Sequence, residues 1–319
     1  MLLSGRKSKT QYKKFKNKKL PIFTSIAIIT ISILICIFEC FNITSWKQIY
    51  NFFGISDTPK YTDNFPLTVH FIDVGKADSI YINCGNNNIL IDAGEKTTYN
   101  VVKEYLNKNN VKSLDLVVAT HPHSDHIGGL PEIIKDFHIK HFMMPKINDN
   151  LIPTSKCYER LLLALKNRNL TPEIPLVGDS IEIGDLNFKV LAPKKDNNYD
   201  NLNDFSVVLK MTYKDNSFLF TGDAQSVSEQ DIANTGLDIS SDVLKVGHHG
   251  SKTSTSDTFL NRVNPEYAVI SVADDNYKLP KKLILDRLKK KNIKIFRTDL
   301  DGTIILASDG KKINAFKEK

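Results

Sequence analysis

From Leu67 onward the chain alternates short apolar runs with polar turns. Leu67–Val74, Ser79–Ile82 and Asn88–Ile91 have the length of strands and are set off by turn residues such as Gly75 and the run from Cys84 to Asn88. Helical spacing over Val101–Leu106 precedes Leu114–Ala119, a nearly unbroken apolar run of the kind expected in a sheet covered on both faces. Further strands are predicted at Ile181–Ile183, Phe188–Leu191, Ser206–Tyr213, Ser217–Thr221, Val243–Val246, Tyr267–Val272, Ile293–Arg297 and Thr303–Leu306. Helices are predicted at Ile127–Lys135, Tyr158–Lys166, Val227–Ala233, Asp257–Val263 and Lys281–Lys290. Many strands with interspersed helices, no repeat and no clear break imply one α/β domain over 67–319, layered αββα.

The region before Leu67 has a different pattern. Leu20–Phe38 is an uncharged run of 19 residues rich in Ile, Leu and Phe. As a helix it would span about 28 Å, close to a hydrocarbon core of about 30 Å. The preceding segment 1–19 holds eight Lys and Arg and no acid, which places it in the cytoplasm by the positive-inside bias. A cleaved signal peptide would need a small-residue site after the run, where Glu39-Cys-Phe-Asn-Ile-Thr stands instead. The expectation is a signal anchor over 20–41, a linker over 42–66 and a domain outside the cell membrane.

Composition changes this picture little. The net charge of +7 becomes −1 once the eight amino-terminal charges are set aside. From Asn276 to Lys319 thirteen Lys and Arg face five acids, a basic stretch able to hold phosphates or simply to keep a helix solvated. Four cysteines, Cys36, Cys40, Cys84 and Cys157, have no metal-knuckle spacing and exclude a disulfide-dense scaffold.

Histidine carries the chemistry. Five of the eight fall in two clusters, His121, His123 and His126 in one and His248 with His249 in the other. Thr120-His121-Pro-His123-Ser-Asp125-His126-Ile-Gly128-Gly129 comes after an apolar strand and precedes a helix, so short side chains from one loop can converge. His121 and His123 can share one metal, and Asp125 with His126 can serve a second. Imidazole and carboxylate suit zinc, or manganese or iron when oxygen dominates. Gly128 and Gly129 would let the backbone pass close to the metals. Of His248 and His249 only one is expected to ligate, because neighbours at a strand end point in opposite directions.

The loop is the H-x-H-x-D-H signature of the metallo-β-lactamase superfamily, which the chain resembles. Asp73-Val-Gly75-Lys-Ala-Asp78, Asp92-Ala-Gly94, Thr221-Gly222-Asp223 and Leu244-Lys-Val-Gly247-His248-His249-Gly250-Ser251 occur in the order seen in the lactamase-like domain of ComEC-type competence proteins. The resemblance implies a metallo-β-lactamase αββα sandwich behind one transmembrane helix, with two divalent ions, zinc or manganese. It implies metal ligands at His121, His123, Asp125, His126, Asp223 and His249, with Asp223 bridging and Asp125 and Asp223 catalytic. His248, Asn203, Asp204 and Ser251 are candidates for metal or substrate, and Asp92, Asp73 and Asp78 for support behind the ligands. The superfamily's usual lone histidine is missing, and Asn203-Asp204-Phe-Ser206 stands in its stretch.

The implied function is a membrane-anchored phosphodiesterase, and more narrowly a nuclease. A cell-envelope phosphoesterase and a non-catalytic binding domain are the alternatives. Nucleic acid or another phosphodiester is the expected partner beside the membrane, and the sequence points to no protein partner.

Overall fold

In the computed structural model the described residues are Thr30, 65–197, 199–274 and 278–319. Apart from Thr30, the segments expected at 1–19 and 20–41 and nearly all of the linker thus lie outside the described residues. Among the described residues no helix is long and apolar enough to cross a membrane. The described residues from 65 onward form one compact unit.

Two seven-stranded sheets face each other in this unit. The first holds β1 (Leu67–Phe71), β2 (Ile80–Cys84), β3 (Asn87–Ile91), β4 (Ser113–Val118), β5 (His138–Met143), β13 (Ile304–Ser308) and β14 (Ile313–Lys317), in the order β14-β13-β1-β2-β3-β4-β5. The second holds β6 (Ser180–Ile183), β7 (Leu186–Ala192), β8 (Val208–Tyr213), β9 (Asn216–Phe220), β10 (Val243–Lys245), β11 (Tyr267–Ile270) and β12 (Lys294–Arg297), in the order β12-β11-β10-β9-β8-β7-β6. Register obeys the period-2 pattern. Leu67, Val69 and Phe71 enter the core between the sheets, where they join Phe188, Phe218 and Phe220. Thr68 and His70 point to the other face, where His70 meets Tyr105.

Helices cover both outer faces. On the first sheet lie α1 (Tyr99–Lys108), α3 (Leu130–Asp136) and α4 (Lys156–Asn167), contributing Val102, Leu106, Ile133, Leu161 and Leu165. On the second lie α5 (Ser226–Asn234), α6 (Asp257–Val263) and α7 (Lys282–Lys290), contributing Ile232, Phe259, Leu260, Ile284 and Leu288. Ser155 and Ser256 accept from the backbone N–H of Tyr158 and Phe259 and so cap α4 and α6. The expected αββα layering is therefore what folds.

Two strands were not legible in the sequence. They are β5 and β14, the two edges of the first sheet, with polar or exposed residues at several positions. The strand expected at Ser206–Tyr213 starts later, because 202–205 forms a 3-10 turn. The parallel pairs β3–β4 and β9–β10 run in the same sense within each sheet. The loops after these strands carry the clustered histidines and carboxylates.

Candidate metal centre

The loop after β4 leads into the single turn α2 (Ser124–Ile127), with His123 in extended conformation at its start. The backbone N–H groups of His126 and Ile127 both donate to His123 O, which fixes the turn. At Gly128 and Gly129 the fold shows a packing reason for the missing side chains. A Cβ on Gly128 would meet Lys96 N at 2.6 Å, and one on Gly129 would meet Ala93 O at 2.4 Å. Their lack of a side chain lets the turn press onto the chain leaving β3.

His121 is fully buried, and its Nδ1 faces Thr120 Oγ1 at 3.1 Å and Ser206 Oγ at 3.3 Å. Its Nε2 lies 3.0 Å from His123 Nδ1, a spacing two nitrogens sharing an ion would have. Burial lowers the pKa of both rings, more so for His121, so both are neutral near pH 7.

Asp92 ends β3 in the left-handed region, φ 57°, which an Asp side chain tolerates better than most. Its carboxylate accepts from Thr120 N at 2.8 Å, Thr120 Oγ1 at 2.6 Å and His126 Nδ1 at 2.7 Å. His126 is thereby turned so that Nε2 faces Asp223 Oδ1 at 3.4 Å. Burial alone would strip the proton from His126, but the Asp223 and Asp92 charges outweigh it and hold the pKa well above 6.5.

Asp223 comes just after β9. Its backbone N–H donates to Ser206 Oγ at 3.0 Å, and Gly222 before it takes φ 50°. Across from it, His248 and His249 both adopt left-handed backbone, φ 50° and 53°. Two such residues in a row are costly and uncommon. The turn breaks the alternation expected of a strand end, so both rings face the same carboxylate. His248 Nε2 lies 3.8 Å and His249 Nε2 3.7 Å from Asp223 Oδ2.

The two rings still differ. His249 is buried, directs Nδ1 to Ser271 O at 2.9 Å and brings Nε2 to 3.5 Å from Asp125 Oδ2. His248 is 26% exposed and sets Nδ1 3.0 Å from Thr253 Oγ1. The loop carrying Thr253 is pinned by Glu229, whose carboxylate accepts from Thr255 N and Ser256 N.

A residue not singled out in the sequence underlies this arrangement. Lys245, fully buried at the end of β10, pairs with Asp78 Oδ2 at 2.9 Å and donates to Val246 O at 3.1 Å. Asp78 N donates to Asp125 O at 3.0 Å and Asp78 O accepts from Gly94 N at 2.8 Å, so Asp78 ties three loops together. A lysine within an apolar strand gives no sign of burial by periodicity alone.

Asp125, His126, Asp223 and His249 each offer a ligand atom within 4.8 Å of the others. His126 Nε2, His249 Nε2 and Asp223 Oδ1 are buried with no hydrogen-bond partner. Buried polar atoms left unpaired are costly, and a cation at their focus would satisfy all three. The donor set, imidazole with carboxylate, is one that divalent transition ions accept. The residues present therefore fit a bound metal.

The model of the metallo-beta-lactamase superfamily matches residues 72–274, well over half of the chain. The chain belongs to the metallo-β-lactamase superfamily. It is similar to ComE operon protein 3 of Bacillus subtilis, 32% identical over 255 residues, or 74% of this chain and 32% of that protein. Competence protein ComA of Neisseria gonorrhoeae is 30% identical over 253 residues, covering 78% of this chain and 33% of that protein. The chain thus spans about a third of the length of these curated relatives, which are ComEC-type competence proteins. Among solved structures, the diiron β-hydroxylase CmlA of Streptomyces venezuelae superposes with a TM-score of 0.51 at 11% identity, covering 76% of this chain and 54% of that one. That likeness shows a shared fold. The chain is thus a member of a metal-dependent hydrolase family related to competence proteins.

Within this metallo-β-lactamase frame some residues expected at the site stand elsewhere. Asp204 is buried, but its Oδ1 accepts from Gln225 N and Ser228 N and its Oδ2 from Asn201 Nδ2. It holds the start of α5, and both of its oxygens are engaged there. Asp73 is half-buried, pairs with Lys319 Nζ at 3.1 Å and accepts from Gly75 N at 3.3 Å. Ser251 Oγ meets Thr253 Oγ1 at 3.0 Å and Ser251 N donates to His248 O at 2.8 Å, so Ser251 supports the His248 turn. Part of the basic carboxy-terminal stretch is ion-paired, as in Lys282–Asp286, Lys294–Glu266 and Lys317–Asp301.

Proposed function

We infer that the chain is a metal-dependent phosphodiesterase acting on nucleic acid, held at the cell membrane by residues 20–41 with its hydrolase domain outside. The observation that carries the reading is the ring of buried, unpaired donor atoms on His126, His249 and Asp223 beside the neutral pair His121 and His123. Relatives named for competence and recombination favour nucleic acid as the phosphodiester. The 19-residue apolar run behind eight positive charges supports the anchor. Lys252 and Lys278 are exposed on segments joined to the His248–His249 turn, where Lys281 N donates to Gly250 O at 2.9 Å. A sugar-phosphate backbone entering the site would meet these charges.

Divalent ions, zinc or manganese, held by His121, His123, Asp125, His126, Asp223 and His249, would lower the pKa of a water and offset charge on the phosphoryl oxygens. The chain's own residues do the positioning. Asp92 and the Ser271 carbonyl hold the Nδ1 atoms of His126 and His249, so both rings present Nε2 to the centre. Despite burial, Asp125 is held well below the usual carboxylate range by His249 and His126 and stays ionised, which suits an acceptor rather than an acid. His248 has its Nδ1 on Thr253 and stays partly open to solvent, placed to contact the phosphate or the leaving group.

The test is digestion of end-labelled single-stranded DNA by the full chain with manganese or zinc, beside Asp223→Ala. The expected result is metal-dependent cleavage that the variant loses. Bound metal without cleavage would overturn the nucleic-acid assignment and make a cell-envelope phosphoester the next substrate to try.

A further inference from the structure

We propose that the side-chain oxygen of Asn203 is a metal ligand that completes the position at His121 and His123, and that this position is the weaker of two. The proposal rests on the reading of the centre as a metal site. Around Asp125, His126, Asp223 and His249 four protein donors already converge. The other position offers His121 Nε2 and His123 Nδ1, 3.0 Å apart, with Asp223 Oδ2 3.9 Å from His121 Nε2. That position lacks a fourth donor.

The 3-10 turn at Leu202–Phe205 supplies a candidate. Its other side chains are committed. Asn201 Oδ1 accepts from Asp204 N at 3.2 Å, the Asp204 carboxylate holds the start of α5, and Phe205 packs on Tyr199. Asn203 O accepts from Ser206 N at 3.0 Å, which sets the turn's direction. The Asn203 side chain is 8% exposed and lies against His123. Its Oδ1 is buried and makes no well-formed hydrogen bond, only an approach to the His123 ring. A side-chain amide oxygen withdrawn from water needs a donor or a cation, and here the neighbouring ring is itself a ligand candidate.

A neutral carboxamide is a weak, hard donor. Placed beside two imidazoles, it makes the position less favourable for zinc, relative to manganese, than a third imidazole would. The two positions should therefore fill in sequence, the one at His126 and His249 first.

The test is equilibrium dialysis of the full chain against manganese, with bound ions counted by mass spectrometry. The wild type is expected to bind two ions with separable constants. Asn203→Ala should keep the tight ion and weaken the second by about tenfold or more, with an unchanged circular dichroism spectrum. Asn203→Asp, which keeps the oxygen and adds charge, should bind the second ion more tightly than the wild type and guards against a folding defect in the alanine variant. Equal second-ion binding in wild type and Asn203→Ala would overturn the ligand role while leaving the metal centre intact. Only one ion in the wild type would overturn it too. No ion bound at all would overturn both the proposal and the reading beneath it.

Discussion

His70 and His126 are both buried, and the chain treats them in opposite ways. His70 lies on the outer face of β1, with Nδ1 2.8 Å from Tyr105 Oη and Nε2 2.7 Å from Thr68 Oγ1. Both nitrogens are paired with neutral groups, and burial lowers its pKa to about 3. His126 has one nitrogen on Asp92 and the other unpaired before Asp223, and its pKa is raised well above 6.5. Burial therefore does not separate a structural histidine from a functional one. An unpaired nitrogen facing carboxylates does.

The largest effect expected from this contrast is on acid stability. The unfolded chain protonates His70 near pH 6.5 while the fold resists the proton down to pH about 3. Its contribution is thus present above pH 6.5 and is lost as pH falls, by up to about 5 kcal/mol. In metal-free protein, His126 acts with the reverse sign. Its raised pKa adds stability below pH about 6.5 that disappears as pH rises through the folded value. Urea unfolding from pH 7 to pH 4 should show a flatter curve for His70→Gln than for wild type. The same slope in both would break the contrast.

Next comes the pair beneath the ligands. Lys245→Met leaves Asp78 buried without its cation and should cost about 3–5 kcal/mol in urea unfolding of metal-free protein. Adding Asp78→Asn should recover most of that loss. A single variant as stable as wild type would mean that the pair contributes no net stability.

Metal affinity sharpens the contrast directly. Asp223→Ala should weaken binding by about 100-fold or more, by competition with a chromophoric chelator, whereas His70→Gln should leave it unchanged. The smallest effect is expected at His248. His248→Gln should lower the DNA-cleavage rate by about tenfold with the bound-metal count unaltered, since its ring stays partly open to solvent at the edge of the centre and a general acid–base or contact role is modest. A fall in metal count would make it a ligand instead.

Much of the centre could be read from the sequence because one loop carries His121, His123, Asp125 and His126 within six residues, directly after an apolar strand. The sandwich was legible for a related reason: strands such as Leu67–Phe71 show period-2 alternation, and Leu114–Val118 an apolar run with both faces covered. The edge strands β5 and β14 hid because their outward positions face solvent and carry His138, Lys140, Asn314 and Lys317. Asp204 and Asp73, both expected near the centre, have other partners in the fold. A carboxylate near a motif can equally hold a helix start or pair with a terminal lysine, and only the fold decides. The left-handed turn at His248 and His249 likewise has no signature in residue type. It is enforced by the contacts around it, among them the bond from His248 N to Gly222 O at 3.2 Å.

The central claim is that unpaired atoms on His126, His249 and Asp223 mark a metal position. Anomalous diffraction from manganese-soaked crystals, collected on either side of the manganese edge, tests it most directly. The predicted result is a peak bounded by His126 Nε2, His249 Nε2, Asp125 and Asp223, with His126 Nδ1 still on Asp92 and His70 free of metal. A fully soaked crystal with no peak there, or with its only peak at a surface pair such as His141 and Glu173, would contradict it.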